Sequence, residues 1–176
     1  RGGDDYWVVK INTTGAKVWD KRFGGSGGET CLTVIEVPGE GYLLAGSTDS
    51  PAGDDVSEAS RGGYDYWAIK IDSSGNKLWD KRLGGSGNDG LNGMGIVTVA
   101  DGGFLLAGNS DSPADGDKSQ ASQGGNDFWA IKLNADGDQT VSASDADGDV
   151  LSYFISGGAD QARFSIGVAT GELSFV

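Results

Sequence analysis

The run Asp5-Tyr6-Trp7-Val8-Val9-Lys10-Ile11 returns as Asp65-Tyr66-Trp67-Ala68-Ile69-Lys70-Ile71 and again as Asp127-Phe128-Trp129-Ala130-Ile131-Lys132-Leu133. Lys17-Val18-Trp19-Asp20-Lys21-Arg22-Phe23-Gly24-Gly25-Ser26-Gly27 returns 60 positions later as Lys77-Leu78-Trp79-Asp80-Lys81-Arg82-Leu83-Gly84-Gly85-Ser86-Gly87. Tyr42-Leu43-Leu44-Ala45-Gly46 returns as Phe104-Leu105-Leu106-Ala107-Gly108 at a spacing of 62, the extra residues falling in the Gly- and Asn-rich stretch 88–95. A chain that repeats at this period builds stacked copies of one supersecondary unit. Two copies, about 2–61 and 62–123, are full, and the first hairpin of a third follows, so the repeat region is 1–137.

Each copy reads as four strands. In the second copy, Trp67, Ile69 and Ile71 alternate with Tyr66, Ala68 and Lys70 over 66–71, the period of a strand with one buried face. Asp72-Ser73-Ser74-Gly75 makes a turn in which Gly accepts positive φ. A second strand covers 77–83 with Trp79 half-buried, a third lies near 95–99, and Asp101-Gly102 turns into a short apolar fourth at 103–108, buried on both faces. No segment carries a helical period. The expectation is an all-β fold of four-stranded antiparallel, propeller-like blades, with Trp and Tyr serving core and inter-blade packing.

A propeller needs at least about four blades. This chain of 176 residues is therefore incomplete as a monomer. It is a piece of something larger, one of several chains completing a ring, or an open stack. The strand at 126–133 is surplus to two blades and is expected to pair with an open edge, of its own first blade or of a neighbour.

The ordered set of motifs resembles the bacterial delta-60 and SBBP-like repeats, and the likeness spans about residues 2–137. The resemblance implies blades in large exported polypeptides, a scaffold role and a secreted or cell-surface location. Near residue 138 the repeat breaks off: after Asn134-Ala135-Asp136-Gly137-Asp138, no Lys-x-Trp-Asp-Lys follows. The segment 138–176 instead resembles part of a bacterial cadherin-like module, on Thr140-Val141-Ser142-Ala143-Ser144-Asp145-Ala146-Asp147-Gly148-Asp149, Leu151–Ile155, Phe164-Ser165-Ile166 and Thr170-Gly171-Glu172-Leu173. It reads as a short β tail, too small to bury a stable core alone.

Charge and composition narrow the function classes. The net charge of −13 repels nucleic acid and anionic lipid, so neither is an expected partner. No apolar run approaches the ~18 residues that span a bilayer. The opening Arg1-Gly2-Gly3-Asp4-Asp5 shows no signal-peptide pattern, as expected of a mature product or a fragment. Cys31 is the only cysteine and there is no His, so the chain has no intrachain disulfide, no Cys-based zinc site and no Ser–His or Cys–His pair.

Carboxylates are the remaining candidates for chemistry. In the cadherin-like resemblance the D-x-D element is a calcium ligand set, which falls here on Asp145, Asp147 and Asp149. Three aspartates with backbone carbonyls and water can supply the oxygen ligands that Ca²⁺ takes. Asp111, Asp115 and Asp117 form a second acidic group, repeated as Asp49, Asp54 and Asp55, and Asn134, Asp136 and Asp138 a third. Each group is equally the composition of a solvated turn. Gly24-Gly25-Ser26-Gly27-Gly28 matches G-x-S-x-G, but no His is available and the second copy has Asn88 in the last place, so it reads as a glycine-rich turn. Asn12-Thr13-Thr14 is a glycosylation sequon in a hairpin turn. No metal is expected beyond calcium and no catalytic residue is assigned. The leading expectation is a structural or adhesive scaffold, calcium-stabilised and prone to self-association. A carbohydrate-binding module with exposed aromatic platforms comes second and a glycoside hydrolase fragment third.

Overall fold

The structure, a computed structural model, describes residues 2–139, 164–166 and 173–175. The chain divides into two compact units, Arg1–Gly137 and Asp138–Val176. The first unit holds β1 (Tyr6–Ile11), β2 (Lys17–Phe23), β3 (Glu29–Val37), β4 (Gly41–Thr48), β5 (Asp65–Ile71), β6 (Lys77–Leu83), β7 (Asp89–Thr98), β8 (Phe104–Ser110) and β9 (Asp127–Leu133). The second holds β10 (Phe164–Ile166) and β11 (Leu173–Phe175), an antiparallel pair. The described residues contain no helix, and all paired strands are antiparallel, which makes the protein all-β.

Three sheets build the first unit, with strand orders β1-β2, β3-β4-β5-β6 and β7-β8-β9. The middle sheet is the expected four-stranded antiparallel unit, but it is not one copy of the repeat. Its β3 and β4 come from the first copy and its β5 and β6 from the second. The third sheet has the same phase, with β9 of the third copy beside β8. β9 is therefore not a surplus strand seeking another edge. It pairs Leu105↔Lys132 and Ala107↔Ala130, in the register in which β5 pairs Leu43↔Lys70 and Ala45↔Ala68. The cause is the apolar Leu-Leu-Ala-Gly strand. It is central, needs a ladder partner on both edges, and takes the second from the next copy.

The sheets stack face on face. Tyr6 and Phe23 of the first sheet pack with Leu44, Trp67, Ile69 and Ile71 of the second, and Val56 closes that cluster. On the other side, Leu43, Ala45, Tyr66 and Leu83 pack with Ile96, Phe104, Leu106, Ile131 and Leu133 of the third sheet. Each of these large apolar side chains contributes roughly 1.5–3 kcal/mol by leaving water.

Position in the stack decides burial. β1 alternates, but with the opposite face inward: Tyr6, Val8 and Lys10 turn in and Trp7, Val9 and Ile11 turn out, whereas β5 is buried along its whole length because it has a sheet on each side. Conversely, β8 was expected to be buried on both faces, and its Leu105 and Ala107 are only half-buried. The third strand of the second copy begins at Asp89 rather than near 95. A register shift between Asp89 and Met94, with Gly90 and Gly93 at positive φ, absorbs the extra residues. The hairpin turns follow expectation: Gly75 has φ +82°, and the Oδ1 atoms of Asn12, Asp72 and Asn134 accept the amides of Thr14, Ser74 and Asp136.

Candidate functional site

Two loop families meet in each copy, and acidic side chains join them. The loop Gly24–Gly28 turns β2 into β3, and its donors are aimed at the segment after β4. Gly28 N donates to Asp49 Oδ1 (2.6 Å), Gly27 N to Ser50 Oγ (2.7 Å), Gly25 N to Glu29 Oε2 (3.0 Å) and Gly24 N to Asp55 Oδ2 (3.2 Å). The second copy repeats the set. Asn88 N donates to Asp111 Oδ1 (2.5 Å), Gly87 N to Ser112 Oγ (3.0 Å), Gly85 N to Asp89 Oδ2 (2.9 Å) and Gly84 N to Asp117 Oδ2 (3.0 Å). Ser86 N adds a bond to Asp115 Oδ1 (2.9 Å).

Glycine is required here by close approach. A Cβ on Gly25 would lie 2.6 Å from the Cβ of Ser50, and one on Gly85 would lie 2.7 Å from that of Ser112. The acid at the centre of each clamp is buried: Glu29 in the first copy and Asp89 in the second. Glu29 Oε1 also accepts the hydroxyls of Thr48 (2.6 Å) and Ser50 (2.5 Å). A carboxylate that accepts several donors holds such a loop in place.

Asp111, Asp115 and Asp117, among the residues expected to hold calcium, lie in the segment that follows β8. Each accepts a different amide of the Gly84–Asn88 loop, and Asp117 also pairs with Arg61 at 3.1 Å. The Ser86 hydroxyl and amide hold Asp115 below the usual carboxylate range. Asn134 caps its own turn. Among the described residues no three acidic, Cys or His side chains converge as a metal site. Asp145, Asp147 and Asp149 lie outside the described residues. The serine of the G-x-S-x-G run, Ser26, lies in this loop between two strands, with no helix following it.

A second set of polar groups is buried in the middle sheet, and sequence reasoning did not single it out. Arg82 Nε donates to Asp65 Oδ2 at 2.5 Å, its Nη1 to the carbonyl of Ser50, and its Nη2 to the carbonyl of Thr48 at 3.3 Å. Both side chains are fully buried. Burial pushes the Asp65 carboxyl up, the Arg61 amide and Arg82 pull it down, and Asp89 adds to the rise. Beside them, Asp80 accepts Lys77 Nζ (2.7 Å), Ser57 N (2.9 Å) and Trp67 Nε1 (3.0 Å). Burial alone would raise Asp80, but these donors outweigh it and hold the carboxyl below its usual range. The available signal was the recurrence of Trp-Asp-Lys-Arg beside Asp-Tyr-Trp in both copies.

The contacts between sheets also repeat. Tyr6 packs on Trp67 with ring centroids 4.9 Å apart and donates its hydroxyl to the Trp67 carbonyl (3.1 Å). Tyr66 packs on Trp129 at 5.2 Å and donates to the Trp129 carbonyl (3.2 Å). Each hydroxyl sits over a strand glycine, 2.7 Å from where a Cβ on Gly46 or Gly108 would be. The glycine of the Leu-Leu-Ala-Gly run is thus the seat of the tyrosine from the preceding sheet. Cys31 is a free, exposed thiol. No helix of the described residues is long and apolar enough to cross a membrane. No protein-family model matches the chain, and no curated protein matches it either.

Proposed function

We propose that this chain is a structural or adhesive scaffold module that works outside the cell by presenting stacked β-sheets rather than by catalysis. The observation that carries the reading is the double use of one loop clamp and one sheet interface in successive copies. A repeated framework whose acidic and hydroxyl side chains are engaged in holding its own loops is suited to rigidity and extension. The high acidic charge fits a surface that stays soluble while exposed. Resemblance to the exported bacterial repeats and to a cadherin-like segment adds the extracellular setting, and calcium belongs to this proposal only through 145–149.

A second reading, carbohydrate binding, is favoured by Trp7, which is 71% exposed on the outer face of the first sheet. Such a ring is a platform on which a sugar can stack. Glycan-array binding together with assays for glycoside hydrolysis separates these readings. The scaffold proposal expects neither saturable saccharide binding nor turnover. Saturable binding abolished by Trp7→Ala would replace it with the lectin-like reading.

A further inference from the structure

The two outer faces of the three-sheet stack carry, on fewer strands, counterparts of residues from the two halves of the contact that the stack uses internally. Across each internal junction, one sheet contributes its Tyr face and the next its Trp face. On the outer side of the first sheet stands a Trp face with no neighbouring sheet among the described residues. Trp7, Val9 and Ile11 are 71%, 39% and 60% exposed, whereas their equivalents Trp67, Ile69 and Ile71 are buried under the first sheet. On the outer side of the third sheet stands the Tyr-type face. Phe128 is 79% exposed where Tyr66 is buried, and Val97 is exposed where Ile35 packs into the core. Strand pairing aligns the remaining positions. Leu105 and Ala107 oppose Lys132 and Ala130 as Leu43 and Ala45 oppose Lys70 and Ala68.

Trp7 is also held in the orientation used inside. Its Nε1 donates to Asp20 Oδ2 at 3.4 Å, as Trp67 Nε1 donates to Asp80 Oδ2 at 3.0 Å. The outer faces therefore have matching apolar character and a template for their mutual register.

We propose that a second copy of this chain is the occupant of both faces, docking head to tail so that Phe128 of one copy sits on Trp7 of the next. The proposal rests on the scaffold reading and names its partner. Such a heterologous contact either closes into a ring or runs on as a filament. Phe128 lacks the hydroxyl that Tyr6 and Tyr66 give to the facing Trp carbonyl, so the junction between copies is weaker than those within. With a net charge of −13 per copy, the junction strengthens as salt is added.

Sedimentation velocity on the full chain tests this with the variants W7D, F128D and F128Y. The wild type is expected to form dimers or longer species as its concentration rises. Phe128→Tyr should tighten association about five-fold, the yield of one hydrogen bond. Trp7→Asp and Phe128→Asp should each weaken self-association at least ten-fold with unchanged thermal melting. Mixing the two should restore a heterodimer, because one intact face of each kind remains. That recovery also proves both variants folded. A wild type that stays monomeric at its highest soluble concentration would overturn the proposal, as would F128D chains that still dimerise or a mixture that stays monomeric. Saccharide binding or hydrolysis would sink the scaffold reading and leave the sedimentation result standing. A monomer sinks the docking and leaves the scaffold.

Discussion

The hydroxyl of Tyr6 donates to the backbone carbonyl of Trp67, sixty-one residues along the chain and one sheet away. Tyr66 and Trp129 repeat the relationship one copy later. The ring contributes burial, and the hydroxyl ties one sheet to the main chain of the next.

Removing that hydroxyl isolates its contribution. Tyr6→Phe and Tyr66→Phe should each cost about 1 kcal/mol of unfolding free energy, and the double variant about twice that, since the two junctions share no partner. Urea unfolding followed by Trp fluorescence measures it. A loss below a few tenths of a kcal/mol in both would show that the hydroxyl bonds add nothing net.

Gly46 seats the tyrosine. Its missing Cβ would fall 2.7 Å from the Tyr6 hydroxyl and against the carbonyl of Thr30. Gly46→Ala should therefore destabilise by about 3 kcal/mol through overpacking. Gly95, exposed and with open space around it, should accept Ala within about 0.5 kcal/mol. Melting temperatures of the two variants give the comparison.

Asp80 and Asp20 occupy the same place in the repeat but not the same environment. Asp80→Asn leaves Lys77 short of its ion pair and should cost about 2–3 kcal/mol, while the exposed Asp20→Asn should change little. The sign of the pH effect follows from the depressed Asp80 carboxyl. Its stabilisation is present above the unfolded value of about pH 4 and is lost as pH falls through the lower folded value. Unfolding free energy measured downward from pH 5 should fall more steeply in the wild type than in D80N. Parallel curves would remove Asp80 from the acid transition.

The loop clamp separates calcium from hydrogen bonding in the repeat unit. Asp111→Ala and Asp117→Ala each orphan a loop amide and should lower stability by about 1 kcal/mol, by the same amount in excess calcium and in chelator. Calorimetry under both conditions checks this. A loss that appears only with calcium present would mean the carboxylates leave the amides for an ion.

The strands were legible because their apolar alternation and turn residues are local. Gly75, Asp72 and the Asp65–Ile71 run needed nothing beyond the period of a strand. Sheet membership was not legible, because a periodic sequence has no natural starting point: any of its phases satisfies the same repeat. Burial was not legible either. Trp7 and Trp67 lie in nearly identical motifs, and only the number of sheets around each separates an exposed ring from a buried one. The Gly-Gly-Ser-Gly loop and the Asp-Ser-Pro segment each read as solvated turns. Their joint recurrence in both copies was the one trace that they hold each other, and neither composition nor charge reveals which amide a given aspartate will accept. Arg82 and Asp65 stayed hidden for the same reason, since Arg22 and Asp5 carry the same letters although Arg22 is exposed where Arg82 is buried.

The offset between repeat and sheet bears on cooperativity. Because β4 of one copy is hydrogen-bonded to β5 of the next, neighbouring copies are joined by a backbone ladder as well as by side-chain contact. In a one-dimensional lattice of repeats this raises the coupling between adjacent units relative to their intrinsic stability. No copy can unfold without tearing a sheet that its neighbour also needs. An array assembled this way melts in large blocks, and its weakest planes lie between sheets rather than between repeats.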